Sequence, residues 1–127
     1  MTCCQRKTIQ MEKIHDYLRG VKTHPNAEIV YSAVKKDIPT ITLATVYRNL
    51  NKMSECGEIL RLEVNGEYRF DGNNCMHQHS ICRKCGEIID FFDDKLSKAV
   101  LSKFNGKGFD PQTVCITYYG LCKKCRK

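Results

Sequence analysis

The stretch TLATVYRNLNKMSECGEILRLEVNGEYRF, residues 42–70, changes its hydrophobic period midway. Leu43, Val46, Leu50 and Met53 recur at the three-to-four spacing of a helix, with Thr42 placed to cap its start and Gly57 to stop it. Arg48, Asn49 and Lys52 take the polar side. The period then falls to two. Leu60, Leu62 and Val64 alternate with Arg61 and Glu63, Asn65–Gly66 is a two-residue hairpin signal, and Tyr68 and Phe70 continue the alternation. Upstream, Met11, Ile14 and Leu18 form a helical stripe that stops at Gly20, and Ile29, Val30, Ala33 and Val34 form another that ends before Ile38–Pro39. Three helices followed by a hairpin is the order of a winged helix–turn–helix, whose third helix enters the major groove with the hairpin beside the backbone. No acid interrupts the segment from Pro39 to Ser54. The same order also suits a protein-interaction module, and Tyr47 could face either the core or a thymine methyl.

Beyond Phe70 the chemistry changes. Asp71–Gly72–Asn73–Asn74 is a turn-forming hinge, so a domain over 1–72 precedes a second over 73–127. Strand-like Glu87 to Phe92 leads to a helix with Leu96, Ala99, Val100 and Phe104 on one face, and Val114 to Tyr119 forms a further strand. The expected class is α+β: a winged helix–turn–helix, then a small α/β dimerisation domain whose open sheet edges a second copy would cover.

Cys82–x–x–Cys85 and Cys122–x–x–Cys125 are the sharpest spacing signal. Two such pairs can converge tetrahedrally on zinc, which would fasten the last strand to the start of a thin domain. A redox dithiol or an iron–sulfur centre would also use cysteine pairs, but two pairs separated by a strand and a helix favour zinc. Cys3, Cys4, Cys56, Cys75 and Cys115 lie outside the pattern; Cys56 and Cys115 sit near apolar residues as plain core would, and Cys75 flanks other metal candidates. Those candidates are His77 and His79, which share a face if they lie on a strand, with Asp71 at the hinge, Asp90 downstream and His24 ahead of the second helix. Converging, the five would offer three imidazoles and two carboxylates to Fe(II), Mn(II), Co(II) or Zn(II). Taken singly they have plainer readings: a helix cap for His24, a surface strand for the histidine pair, turn or edge carboxylates for the aspartates.

The chain of 127 residues carries 21 Lys plus Arg against 14 Asp plus Glu, a net +7 that suits nucleic acid or an anionic surface. Residues 73–127 hold most of that excess, with 10 basic and 5 acidic side chains against 11 and 9 before them, so a DNA-binding claim has to rest on local pattern. No run approaches the roughly 18 apolar residues of a spanning helix, and the opening MTCCQRK has no signal-peptide core. A cytoplasmic protein without membrane association is expected. No phosphate loop, nucleophile triad or flavin site is visible, and no enzyme is expected.

In order along the chain stand His24–Pro25–Asn26–Ala27, Ala44–Thr45–Val46–Tyr47–Arg48–Asn49–Leu50, Tyr68–Arg69–Phe70–Asp71, His77–x–His79–x–x–Cys82–x–x–Cys85–Gly86 and Cys122–x–x–Cys125. This ordered set resembles the ferric uptake regulator family over nearly the whole chain. The resemblance implies a homodimeric, metal-dependent repressor of palindromic double-stranded operators. It implies a structural Zn2+ on Cys82, Cys85, Cys122 and Cys125, and a regulatory Fe2+ or Mn2+ on His24, Asp71, His77, His79 and Asp90. It also implies a recognition helix from Thr42 to Met53 with DNA contacts from Tyr47 and Arg48, beside the basic and polar Asn49 and Lys52. Iron-sensing relatives usually carry glutamate where this chain has Asp71 and Asp90, whereas the peroxide-responsive branch carries aspartate at both. The expected function is therefore peroxide sensing by iron-catalysed oxidation of His24 or His77, with an iron- or other divalent-metal-responsive repressor as the alternative.

Overall fold

A computed structural model describes residues 8–126, so Cys3 and Cys4 lie outside the described residues. The chain forms two compact units that divide between Asn74 and Cys75, two residues beyond the boundary expected at Gly72.

The first unit comprises α1 (Ile9–Arg19), α2 (Ala27–Val34), α3 (Leu43–Glu55) and a hairpin of β1 (Leu60–Val64) and β2 (Glu67–Asp71). Each helix starts on a side-chain cap: Thr8 accepts from the Met11 amide, Asn26 from Ile29 and Thr42 from Thr45. His24 is thus not the cap of α2; Asn26 is. Helix α3 ends at Cys56, and Gly57 follows in the left-handed conformation at φ 79° that a helix exit favours. Asn65 and Gly66 both have positive φ, the type I′ turn whose twist suits a two-residue hairpin, and Val64 pairs with Glu67.

The core gathers one stripe from each helix. Met11, Ile14 and Leu18 meet Val30 and Val34, and these pack with Val46, Leu50 and Met53 and with Phe70 of the hairpin. Burial of each such side chain is worth about 1.5–3 kcal/mol, which is what holds three short helices together. The second stripe is displaced from expectation. Ile29 is exposed and Ala27 is buried instead: at 100° per residue Ala27, Val30 and Val34 share one face, and Ile29 points well away from it. Tyr68 is likewise exposed on β2 while Phe70 is buried.

In the second unit β3 (Gln78–Cys82) is the centre of a sheet ordered β4-β3-β5, antiparallel to β4 (Ile88–Phe91) and parallel to β5 (Ile116–Gly120). Helix α4 (Asp94–Ser102) lies between β4 and β5 in the chain. Its anchor is polar. The fully buried Gln78 donates to Ser97 Oγ at 2.7 Å and to the Asp93 carbonyl at 3.2 Å, and accepts from the Asp93 amide at 2.8 Å. The expected apolar face of α4 is consequently not the buried one. Ser97 is buried, Leu96 is half-buried, Ala99 and Val100 are exposed, and Phe104 lies beyond the helix end against Phe109. Among the described residues of this unit, only Ile81, Cys82 and Ile88 are buried apolar side chains. No helix of the described residues is long and apolar enough to cross a membrane.

Candidate metal centres and nucleic-acid interface

The parallel pairing of β3 with β5 builds the first centre. Parallel neighbours end at the same side of the sheet, and Cys82, the last residue of β3, stands in register with Gly120, the last of β5. Each strand runs directly into its cysteine turn. The Gly86 amide donates to the Cys82 carbonyl at 2.9 Å and the Arg126 amide to the Cys122 carbonyl at 3.0 Å, each four residues on, so the two turns are alike. The four sulfurs lie within 4.8 Å of one another, and Cys85 Sγ is 3.7 Å from Cys122 Sγ. Zinc–sulfur bonds of about 2.3 Å at tetrahedral angles set sulfurs about 3.8 Å apart, so the set fits zinc. Backbone N–H groups of Cys85 and Cys122 aim at Cys82 and lower its thiol to about 6, preparing a thiolate. Cys125 is raised to about 12, first by the neighbouring Cys122 sulfur and then by burial. A cation among the four would relieve that crowding of thiols.

The remaining ligand candidates form one set on each unit. In the first unit, His24 Nε2 lies 3.4 Å from Asp71 Oδ2, with both side chains buried. Asp71 is the last residue of β2, and Gly72 after it packs so closely on the end of α1 that an added Cβ would come within 2.7 Å of the Leu18 carbonyl carbon. His24 has φ 52°, left-handed for a residue that precedes proline. Arg69 of β2 donates from Nε to the His24 carbonyl and from Nη2 to the Thr23 carbonyl at 3.0 Å, and the Phe70 amide donates to the Pro25 carbonyl at 3.0 Å.

In the second unit the imidazoles of His77 and His79 stand on one face, their centroids 4.3 Å apart, as the spacing predicts. His79 is paired across β3–β4 with Asp90, whose two oxygens separate: Oδ1 lies 3.3 Å from His79 Nε2 and Oδ2 lies 3.5 Å from His77 Nε2. His77 Nδ1 is 2.6 Å from the Cys75 carbonyl. A carbonyl only accepts, so Nδ1 carries the proton and Nε2 of the neutral ring turns its lone pair toward a carboxylate. Two facing lone pairs repel unless a cation or a second proton lies between them. Donors bound to one ion at about 2.0–2.2 Å are about 3–3.6 Å apart, so the three spacings suit a divalent metal better than direct hydrogen bonds.

The nucleic-acid candidates lie on α3. Tyr47, Arg48 and Lys52 are exposed, and Asn49 is half-buried with an amide nitrogen that finds no hydrogen-bond partner among the described residues. Arg48 Nη2 donates to Thr45 Oγ1 at 3.2 Å. The Tyr47 hydroxyl donates to Glu28 at 3.4 Å, and partial burial followed by that carboxylate pushes its phenol upward. Two further residues escaped sequence reasoning. Arg61 of the hairpin donates to Asn51 of α3 at 3.2 Å and stacks over Tyr68 at 4.5 Å, which ties hairpin to helix. Phe92 stacks on His77 with centroids 4.7 Å apart. Neither had a spacing signal, since both contacts join residues of different elements. Cys56 and Cys115 are not plain core: Cys56 is half-buried and disulfide-bonded, and Cys115 is exposed ahead of β5, as is Cys75 ahead of β3.

Residues 4–119 match the ferric uptake regulator family. The chain is 35% identical over 122 residues to the peroxide-responsive repressor PerR of Staphylococcus aureus (strain USA300), a match spanning 95% of this chain and 82% of that protein. Among solved structures it resembles the Campylobacter jejuni peroxide stress regulator, with a TM-score of 0.76 and 31% identity over 91% of this chain and 88% of that one. It also resembles the ferric uptake regulator from Pseudomonas aeruginosa with manganese, with a TM-score of 0.77 and 28% identity over 93% and 90%. The winged helix, the mixed-sheet unit and the metal-ligand sets agree with these matches: the chain belongs to the ferric uptake regulator family, whose members are metal-dependent DNA-binding regulators and not enzymes.

Proposed function

We propose that the chain is a divalent-metal-responsive repressor, acting as a homodimer on a palindromic duplex. The winged helix of residues 1–72 is read as its DNA-binding domain and residues 73–127 as its metal-binding and dimerisation domain. The observation that carries this reading is the spacing of the two sets, His24 with Asp71 and His77 and His79 with Asp90, each at the separation of donors to one ion. An ion held by these ligands would act as a switch only by favouring the conformation that fits DNA. Arg48 and Lys52 then supply phosphate or base-edge contacts, with Tyr47 and Asn49 beside them on α3. Zinc on the four cysteines is structural in this scheme.

The test is binding, by fluorescence anisotropy, to a duplex selected from a random-sequence pool by the Mn(II)-loaded protein. Binding should fall steeply with salt, vanish with a chelator that spares the zinc, and return with Mn(II). Metal-independent affinity would overturn the proposal.

A narrower reading, peroxide sensing, is favoured by aspartate at both 71 and 90 and by the likeness to two proteins named for their peroxide response. Fe(II) held by these residues would supply the one-electron chemistry that cleaves the O–O bond of hydrogen peroxide, and would recover its electron as the ring is oxidised. An imidazole C–H of His24 or His77 becomes C–OH and the second peroxide oxygen leaves as water, one peroxide being consumed for each histidine lost. The ring then gains one oxygen and donates poorly. Peptide mass spectrometry of Fe(II)-loaded protein after a brief peroxide dose should find that oxygen on the His24 or His77 peptide, and none in the Mn(II) form. Unmodified histidines in protein verified to hold iron would leave metal response as the function.

A further inference from the structure

We propose that Arg69 is a positioning residue for the regulatory ion, acting through the backbone of His24. The inference rests on the reading of His24 as a ligand.

His24 occupies a conformation that its sequence disfavours twice. A side chain with a Cβ resists positive φ, and a following proline drives the preceding residue to extended backbone; His24 nonetheless has φ 52°. The usual local support is also missing. A left-handed residue commonly closes a turn through the next amide, and Pro25 has none. The conformation is held instead from β2. Arg69 Nε donates to the carbonyl of His24 and Nη2 to that of Thr23, while the Phe70 amide donates to Pro25, so three consecutive carbonyls are bonded by two consecutive residues of one strand. The planar fork of a guanidinium can serve two adjacent acceptors at once, which the single ammonium of lysine does less well.

The clamp shares its strand with a candidate ligand. Asp71 is two residues beyond Arg69 on β2 and is the carboxylate that faces His24 Nε2 at 3.4 Å. One strand therefore presents one candidate ligand and fixes the backbone of the other. If the clamp is released, residues 23–25 are free to return toward extended backbone, which swings the imidazole away from Asp71 while both side chains remain in the chain.

The test is a double-mutant cycle with Arg69→Ala and His24→Gly in zinc-loaded protein. Glycine removes the imidazole and accepts the left-handed backbone without strain. Mn(II) affinity is read from the electron paramagnetic resonance of free Mn(II), and hydrogen exchange of the Phe70 amide is read in the Mn-free proteins. Each single variant should weaken Mn(II) binding about 10–100-fold. The double variant should bind no more than about twofold weaker than His24→Gly alone, since residues acting through one another are not additive. Phe70 exchange should accelerate in Arg69→Ala and stay near native in His24→Gly. Arg69→Lys, which keeps the charge, should fold if Arg69→Ala does not and should still lose affinity. Native Mn(II) affinity in both Arg69 variants, or fully additive losses, would overturn the proposal. Native affinity in His24→Gly would instead overturn the reading of His24 as a ligand, while Phe70 exchange would still report whether Arg69 holds the turn.

Discussion

Gly72 joins the packing of the first unit to its candidate metal-ligand pair, and Gly72→Ala should damage both. A Cβ at this position would lie 2.7 Å from the Leu18 carbonyl carbon and 2.8 Å from both the Leu18 oxygen and the Arg19 nitrogen. All three are backbone atoms at the end of α1, so no side chain can swing aside. Carbon atoms pack at about 3.5–4.0 Å, and about 0.8 Å must therefore be found by moving the end of β2 away from the helix. Gly72 lies outside the left-handed region, so alanine is not otherwise strained there. Overpacking of this kind costs about 1–3 kcal/mol. At about 4–8 °C per kcal/mol for a domain of this size, Tm should fall by about 4–24 °C. The metal consequence is separate: Asp71 is adjacent, and a shift of about 0.8 Å is several times the roughly 0.2 Å tolerance of a metal–ligand distance. Mn(II) affinity should drop at least tenfold. Calorimetry of the zinc-loaded, Mn-free protein and a Mn(II) titration measure the two effects. Gly20→Ala is the control, since its Cβ would meet only the Asp16 and Tyr17 oxygens at an ordinary 3.6 Å. A Tm within about 2 °C of native together with unchanged Mn(II) affinity in Gly72→Ala would refute the steric argument.

Other consequences can be measured independently. Cys122→Ser should abolish stoichiometric zinc and release β5 from β3, seen as lost amide protection over Ile116–Gly120 with the hairpin of the first unit unaffected; retained protection would show that the sheet stands without its metal. Zinc uptake at pH 7.5 should release at least two protons, from the raised Cys85 and Cys125, and fewer than four because Cys82, lowered to about 6, is already ionised; calorimetry in buffers of different ionisation enthalpy counts them. Arg48→Ala should weaken operator binding and reduce the slope of log affinity against log salt by about one if it contacts a phosphate, with an unchanged Tm. Leu50→Ala, at a fully buried position of α3, should cost about 2–5 kcal/mol in chemical denaturation.

The first unit was legible because its signals are local. Caps at Thr42, periodicity through Leu50 and Met53, and the Asn65–Gly66 turn each act within a few residues, and each is found where the pattern puts it. Ile29 misleads because two adjacent apolar residues cannot both lie on one narrow helical face, and the core takes Ala27, Val30 and Val34. In the second unit periodicity failed at α4. Its apolar residues repeat as a core face would, yet the contact that seats the helix is Gln78 with Ser97, a pair of polar residues 19 positions apart with no repeat to betray them. Candidate ligands were legible by residue type and spacing; what fixes them was not. Arg69 bonding to Thr23 and His24 spans some 45 residues, and the Cys75 carbonyl that sets the His77 tautomer is a backbone group whose role no side-chain pattern can announce.

The zinc centre also bears on why the second unit folds at all. With so few buried apolar side chains, the unit must bring β5 back to β3 across a long connection; Cys85 and Cys122, whose sulfurs touch, are 37 residues apart. Closing such a loop is entropically costly, and parallel pairing is the slightly weaker kind of ladder. The cysteine pairs can meet only if that pairing is parallel. Were β5 antiparallel to β3, Cys122 would leave the sheet at the opposite end from Cys82, about 16 Å away across a five-residue strand. A tetrathiolate ion therefore stabilises one strand direction and rejects the other, so the four cysteines select the topology as well as reinforcing it. The same strand carries His79 opposite Asp90, and Cys82 lies three residues further on. A structural ion that fixed β3 would thus also fix the strand from which the candidate regulatory ligands project.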